Sequence, residues 1–367
     1  MSTRSDIILN RICQTAAEQK ATEFYFFPVQ PPFLRINGEI IPLANEEILT
    51  VSLLEEIADS LLSPEEKAKL SAKGGSAEGG KEVKQLIVVK EVGKMGNIQI
   101  SFVYQKDQLS LCFKLLSHEI EILDKAGLPP IVKNFTHLLQ GVVFTVGPRD
   151  SGRSSLTASL LDDINKNQGR FIATVEQPIR YRLAASKSVI EQREVGKDVS
   201  SFKEGISYIK RRNIDVAMVS LCQETGIVEE LLSLAESGVL VFAILNGESS
   251  IKFINRFINS FSTERRDSVR SLLADNLGGV IVTRLVPKVG GGERVRALEI
   301  LPGTLAVKNL INENKINQLN NILELGTGNA IAIDRYLADL VSAGEITFEE
   351  GLKYCVDKGK YQILVNR

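Results

Sequence analysis

A glycine-rich loop between an apolar strand and a helix constrains the fold of this chain most. Residues 141–146 form a largely apolar run that predicts a buried strand, and the apolar spacing of residues 156–164 fits one helix face. The loop between them contains Gly147, Pro148, Arg149, Asp150, Ser151, Gly152, Arg153, Ser154 and Ser155. Strand, loop and helix are the context of a phosphate-binding loop, which predicts a nucleotide site with ATP as the candidate ligand. A plain strand-to-helix turn is the alternative interpretation.

The loop meets the template G-x-x-x-x-G-K-[ST] at Gly147, Gly152 and Ser154 but departs from it at two charged positions. Arg153 replaces the lysine and offers a planar guanidinium where the loop is shaped for a compact ammonium. Asp150 adds a carboxylate, and at about 5 Å with an effective dielectric constant of about 20 it would repel each phosphate charge by about 3 kcal/mol. We expect weakened binding and impaired hydrolysis. Pairing of Asp150 with Arg153, which their spacing permits, would remove much of the repulsion.

The composition favours a protein of two domains in a reducing compartment. A chain of 367 residues with 44% hydrophobic content can bury substantial cores. The cysteines lie far apart, without a C-x-x-C pair, at Cys13, Cys112, Cys222 and Cys355. Neither a zinc site nor a disulfide framework is therefore predicted, and a cytoplasmic location is the simplest expectation.

The charge and hydropathy patterns exclude several classes of partner. A net charge of -1 gives no global attraction to nucleic acid or to anionic lipid. No run approaches the roughly 18 apolar residues of a membrane span, and Asp6 and Arg11 interrupt the apolar N-terminal stretch, which is unlike a signal peptide. We therefore expect no nucleic-acid partner, and membrane association only through another protein.

The first 117 residues have the pattern of a small α+β domain. Asn37-Gly38 within residues 33–41 predicts a hairpin with a type I′ turn. Residues 71–80 are a flexible loop by composition. The other predicted elements are helices at 7–20 and 51–70 and strands at 23–29, 85–92, 98–104 and 109–115.

The second predicted domain, residues 118–367, alternates strands with helices as a parallel sheet requires. Its further predicted strands are 171–175, 215–220, 239–245 and 279–285. After Pro287 a glycine triplet at 290–292 is predicted to join two short strands. The chain is helical by pattern in its last part, which starts at about residue 303.

Three stretches outside the loop carry a resemblance that covers nearly the whole chain. Residues 31–38 read P-P-F-L-R-I-N-G, residues 190–198 read I-E-Q-R-E-V-G-K-D, and residues 306–313 read A-V-K-N-L-I-N-E. Together with the loop they resemble the secretion ATPase superfamily, most closely the type IV pilus retraction ATPases of the PilT and PilU type. The segment linked to retraction in that family corresponds to Ala306, Val307, Lys308, Asn309, Leu310 and Ile311.

This resemblance implies an α/β protein with a PAS-like α+β domain followed by a RecA-like P-loop domain with a helical C-terminal part. It implies ATP and Mg²⁺ as cofactors, with Mg²⁺ on the hydroxyl of Ser154. It also implies a ring of six subunits, either a homo-hexamer or a mixed ring with an active paralogue. The ring would dock on an inner-membrane platform protein of the pilus machine, which makes the protein peripheral to that membrane.

The chain departs from the family at residues that carry its chemistry. The acidic segment T-I-E-D-P-I-E keeps Glu176 but has Gln177 and Arg180 at the two following acid positions. Leu221 stands at the Walker B acid, where it can neither accept a proton nor hold a metal-bound water. Asn246 stands at the histidine of the histidine segment and cannot titrate near neutrality.

Several other features have open or structural interpretations. Glu176 is either a remnant base or a structural acid at a strand end. Residues 210–212, a basic run, favour a solvated helix face over a phosphate contact. Asn97 and Gln99 occupy positions where the family carries arginines that reach a neighbouring subunit.

The sequence therefore predicts a PilT-like component of a type IV pilus or type II secretion motor with degraded catalytic segments. A noncatalytic or regulatory subunit is the first hypothesis. A slow but active ATPase that powers retraction is the second, and a nucleotide-free scaffold subunit is the third.

Overall fold

The computed structural model divides the chain into two compact units, Met1–His118 and Glu119–Arg367. The described residues are 3–19, 21–71, 85–92, 97–115, 120–220 and 225–366. Most of the loop predicted at 71–80, and all of residues 221–224, lie outside them.

The first unit is a six-stranded antiparallel sheet in the order β3-β2-β1-β6-β5-β4 with helices packed on it. Its strands are β1 Glu23–Phe26, β2 Phe33–Ile36, β3 Glu39–Pro42, β4 Gln85–Glu91, β5 Asn97–Gln105 and β6 Gln108–Leu115. Its helices are α1 Arg4–Glu18, α2 Val51–Leu61 and α3 Pro64–Ser71. Phe24 and Phe113 stack in the core with ring centroids 4.4 Å apart.

Local sequence chemistry explains where these elements start and stop. The predicted hairpin is confirmed, since Asn37 and Gly38 both have positive φ between β2 and β3. The helix predicted at 51–70 is instead two helices, because Pro64 lacks a backbone N–H and Ser63 begins a new helix in a reciprocal cap with Glu66.

The second unit contains a seven-stranded sheet in the order β13-β12-β7-β11-β10-β8-β9. Its strands are β7 Gly141–Gly147, β8 Phe171–Glu176, β9 Val189–Glu194, β10 Val216–Ser220, β11 Leu240–Asn246, β12 Leu277–Pro287 and β13 Arg294–Pro302. All neighbours are parallel except β12 and β13. The interior strand β7 is buried along its whole length, as its apolar run predicts for a sheet covered on both faces.

The helices of this unit cover the sheet and form its C-terminal part. They are α4 Pro130–Asn134, α5 Arg153–Asn167, α6 Phe202–Lys210, α7 Thr225–Glu236, α8 Ser250–Asn259, α9 Arg266–Asn276, α10 Leu305–Asn312, α11 Leu319–Leu325, α12 Ile333–Ser342, α13 Phe348–Tyr354 and α14 Lys358–Val365. No helix among the described residues has both the length and the apolar character that crossing a membrane requires.

Two details of the sheet differ from the sequence prediction. The glycine triplet 290–292, with three positive φ angles, joins two long strands of eleven and nine residues rather than two short ones. Strand β9 was not predicted, because three of its six residues are charged and obscure the alternation expected of a strand.

The parallel order brings three predicted site segments to one edge of the sheet. The glycine-rich loop follows β7, Glu176 ends β8 and Asn246 ends β11. Because the carboxyl ends of parallel strands meet at the same edge, these segments lie together although the chain separates them widely.

Helix α6 packs on the strand that carries Glu176, and Gly205 makes this approach possible. A Cβ at Gly205 would lie 2.7 Å from Cγ1 of Val175. We expect Gly205→Ala to lower the free energy of unfolding by about 1–3 kcal/mol through overpacking. Chemical denaturation followed by circular dichroism measures this change.

Gly226 in α7 is the matched control, since a Cβ there would meet no atom within 4 Å. Gly226→Ala should stabilise the protein by up to about 1 kcal/mol, because alanine has the higher helix propensity. An equal effect of the two substitutions would contradict the packing argument.

Candidate functional site

The glycine-rich loop folds back over its own first residue. Gly152 and Asp150 adopt left-handed backbone conformations, with φ of 86° and 57°. A Cβ at Gly147 would lie 2.3 Å from Oγ of Ser151 and 2.6 Å from the carbonyl oxygen of Thr283, so only glycine fits there. The Thr283 hydroxyl donates to the Ser151 carbonyl at 2.9 Å and holds the loop against β12. Helix α5 begins at Arg153 directly after Gly152, and no side chain caps its first turn, which leaves N–H groups of the kind that bind anions at helix N-termini.

Arg153 points into the protein, toward the end of β11. Its side chain is 7% exposed, and Nη1 donates to the Leu245 carbonyl at 2.7 Å and to Oδ1 of Asn246 at 2.6 Å. Burial lowers the pKa of Arg153 to about 10, with a further contribution from the charge of Arg180. Asp150 raises it by a smaller amount through its opposite charge. The guanidinium at the lysine position is thus held by β11.

Asn246 and Arg153 form one structural unit although they depart from two different family segments. The amide oxygen of Asn246 is a neutral acceptor aimed at a buried cation. A protonated imidazole at this position would repel the guanidinium, whereas an amide oxygen cannot acquire a charge. The two substitutions therefore compensate each other.

The segment after β11 is fixed at several points. Arg256 donates to the Asn246 carbonyl, and the Glu299 carboxylate accepts from the Ser250 N–H at 2.7 Å and from its hydroxyl at 2.6 Å. Arg284 donates to the Glu248 carbonyl at 2.9 Å and also to the carbonyl of Tyr354, at the end of α13. Asn246 is consequently presented on a restrained backbone.

Glu176 is a buried acid at the end of β8. Its side chain is 4% exposed, and Oε1 accepts from the Thr174 hydroxyl at 2.8 Å and from Nε2 of Gln192 at 3.2 Å. Burial raises the pKa of Glu176 to about 7, although both hydrogen bonds act in the opposite direction. A cavity of about 10 Å³ next to Glu176 and Ser154 has room for about one water molecule. This geometry fits both interpretations of Glu176, as a structural acid and as a base.

Arginine side chains surround the outer part of the loop. Nη1 of Arg180 lies 3.5 Å from Oγ of Ser154. Nη2 of Arg296 lies 3.4 Å from Oγ of Ser155, while its Nη1 donates to Glu121 at 2.9 Å. Sequence analysis missed Arg296, because it belongs to no motif and only the pairing of β13 with β12 brings it to the loop.

The donor set does not fit Mg²⁺, the metal that the family resemblance implies. A Mg²⁺ ion bound at about 2.1 Å to Oγ of Ser154 would lie at most about 5.6 Å from Nη1 of Arg180. At an effective dielectric constant of about 20 the repulsion is about 6 kcal/mol before screening by water. Among the described residues, no group of three His, Cys, Asp or Glu side chains could hold a metal ion.

Other predicted residues lie apart from the loop or outside the described chain. The retraction segment, from Ala306 to Ile311, lies on α10, where Val307 and Ile311 are buried and Lys308 donates to the Asp275 carbonyl at 2.9 Å. Residues 210–212 are exposed at and directly after the end of α6. Leu221, the Walker B position, lies outside the described residues.

The raised pKa of Glu176 makes stability depend on pH. The folded state binds this proton more tightly than the unfolded chain, so the contribution of Glu176 to stability is full below pH 4.5 and is lost as the pH rises to about 7. Glu176→Gln removes this titration. Relative to the native chain, the variant should gain about 3 kcal/mol between pH 4.5 and about pH 8, measured by denaturation at each pH.

The exposed Glu349 of α13 provides the control substitution Glu349→Gln, which should follow the native curve. A constant difference between Glu176→Gln and the native chain across this range would contradict the buried-acid description.

Comparison with known proteins identifies relatives along most of the chain. No protein-family model matches it. The type IV pilus retraction ATPase PilT of Pseudomonas aeruginosa is 27% identical over 335 residues, which span 91% of this chain and 94% of PilT. The type IV pilus ATPase PilU of the same organism is 24% identical over 365 residues, spanning 97% of this chain and 90% of PilU.

The solved structures include a close match to the whole fold. The crystal structure of the pilus retraction motor PilT with bound ADP superposes with a TM-score of 0.82 and 31% identity, and the match covers 98% of this chain and 99% of that one. The predicted fold class is therefore confirmed, with an N-terminal α+β domain followed by a RecA-like domain. Identity above 30% over nearly the full length of both chains shows that this protein belongs to the PilT and PilU family of secretion ATPases.

Proposed function

We propose that this chain is a noncatalytic or regulatory subunit of a type IV pilus retraction motor or a related secretion motor. Membership of the PilT and PilU family supports a role in such a machine. The contact of Arg153 with Leu245 and Asn246 carries the noncatalytic part of the proposal. Through this contact, the positively charged group of the loop is hydrogen-bonded to acceptors of the protein itself.

Phosphoryl transfer depends on cations placed against the transferring group. Arg153 would have to break two short hydrogen bonds to reach a phosphate, and bonds to charged groups contribute about 1.5–3 kcal/mol each. A phosphate would have to supply equivalent contacts. Arg180 lies at the hydroxyl where the family would place its metal, and Gln177 supplies no charge. The site thus favours holding an anion over transferring a phosphoryl group.

Assembly is the second part of the proposal. We propose a homo-hexamer or a mixed ring with an active paralogue, docked on an inner-membrane pilus platform protein from the cytoplasmic side. Helix α10 supports it, because Val307 and Ile311 anchor the helix while Leu305, Ala306 and Asn309 are exposed. The retraction segment therefore has a surface that is available to another protein.

A slow but active ATPase is the second candidate function. Its support is the environment of Glu176, since a pKa of about 7 suits a general base at neutral pH. The acid also lies beside the same cavity as Ser154. This function requires turnover that depends on Glu176.

The two candidates give opposite results in a hydrolysis assay. We expect phosphate release from ATP by the purified chain to stay at background, and Glu176→Ala to change it by less than about twofold. An active PilT serves as the positive control. Hydrolysis above background that Glu176→Ala abolishes would exclude the noncatalytic proposal.

Assembly is tested independently by native mass spectrometry of the full chain, alone and coexpressed with an active PilT-type paralogue. We expect ring-sized species in at least one preparation, because the family fold is retained over the whole chain. A monomer in both preparations would contradict the assembly proposal.

A further inference from the structure

The Arg180 guanidinium lies next to the Ser154 hydroxyl, to which the family resemblance assigns Mg²⁺. Nη1 of Arg180 lies 3.5 Å from Oγ of Ser154, in the first turn of α5. Arg180 also acts on Arg153, as the second largest cause of its lowered pKa. The guanidinium therefore lies over the loop. A divalent cation and this guanidinium cannot both approach Ser154 closely without strong repulsion.

The loop itself has an unsatisfied interior that suits an anion. Among the described residues, Oγ of Ser151 is one of the few buried side-chain polar atoms without a hydrogen-bond partner, and the residue is 3% exposed. This oxygen lies inside the loop, within 2.3 Å of the position of a Cβ on Gly147. Buried hydroxyls are normally paired, so an unpaired one beside the helix N-terminus indicates a missing partner.

The charges around this interior are predominantly positive. Arg149 and Arg180 both act electrostatically on Arg153, and the opposing carboxylate is Asp150. Glu176 adds only part of a negative charge near neutral pH, because its pKa is about 7. A polyphosphate would therefore meet a net positive site without a metal ion.

We propose that residues 147–155 and Arg180 form a metal-independent site for the phosphates of a nucleoside diphosphate or triphosphate, in which Arg180 replaces Mg²⁺. The planar guanidinium can donate two parallel hydrogen bonds to phosphate oxygens. The first-turn N–H groups of α5 and the Ser151 hydroxyl provide the remaining donors. This inference rests on the proposed function, because it assumes a loop retained for binding and not for hydrolysis.

Calorimetric titration of the full chain with ADP tests the inference, with excess EDTA in one series and excess Mg²⁺ in the other. We expect the two dissociation constants to agree within about twofold. Arg180→Ala should weaken binding about tenfold or more in both series, because it removes the charge and the paired donors. Arg180→Glu should lose binding in EDTA and recover part of it with Mg²⁺, since an acid near Ser154 restores a metal ligand.

Arg182→Ala is the matched control, because Arg182 is an exposed arginine two residues further along the chain. It removes the same charge and should change the dissociation constant by less than about twofold. Circular dichroism of each variant establishes that the fold is retained.

Two outcomes would overturn the inference in different ways. If binding requires Mg²⁺ and is insensitive to Arg180→Ala, the metal ion and not Arg180 neutralises the phosphates. The loop would then still be retained for nucleotide binding. An absence of ADP binding in both series would exclude a nucleotide site, while the hydrolysis and ring measurements would still decide the proposed function.

Discussion

The structure of the site depends on the burial of one cation at the end of a parallel sheet. Arg153 is the first residue of α5 and stands where a phosphate-binding loop ordinarily presents a lysine. Its guanidinium nevertheless donates its hydrogen bonds to two acceptors on β11. A buried charge must be hydrogen-bonded to be tolerated, so the Leu245 carbonyl and the Asn246 amide are requirements of this arginine. The restrained segment after β11 and the inward direction of the Arg153 side chain both serve to satisfy this buried charge.

This dependence changes how the departures from the family pattern are interpreted. Considered singly, an arginine for a lysine and an asparagine for a histidine each resemble the loss of a catalytic group. In the structure they form one pair at 2.6 Å, and Arg180 lies 3.5 Å from Ser154. The substituted residues at this edge of the sheet therefore form interactions with one another and with the loop, in addition to removing the groups that the family uses.

The predictable features were those encoded by neighbouring residues. The loop at 147–155 and the Asn37-Gly38 hairpin each depend on a few adjacent side chains and φ angles, and both could be predicted from the sequence. The partners of Arg153 could not, because Leu245 and Asn246 are 92 and 93 residues away and meet it only through the strand order. Arg296, 141 residues from Ser155, reaches the loop through an antiparallel pair that no motif marks.

Arg284 gives this arrangement a mechanical consequence. One guanidinium holds the carbonyls of Glu248 and Tyr354, and thus joins the turn that carries Asn246 to the end of α13. A shift of that turn by a fraction of an ångström must either stretch these bonds or move the helix end with it. The end of α13 is therefore joined through Arg284 to the segment that follows Asn246, the residue that accepts a hydrogen bond from Arg153.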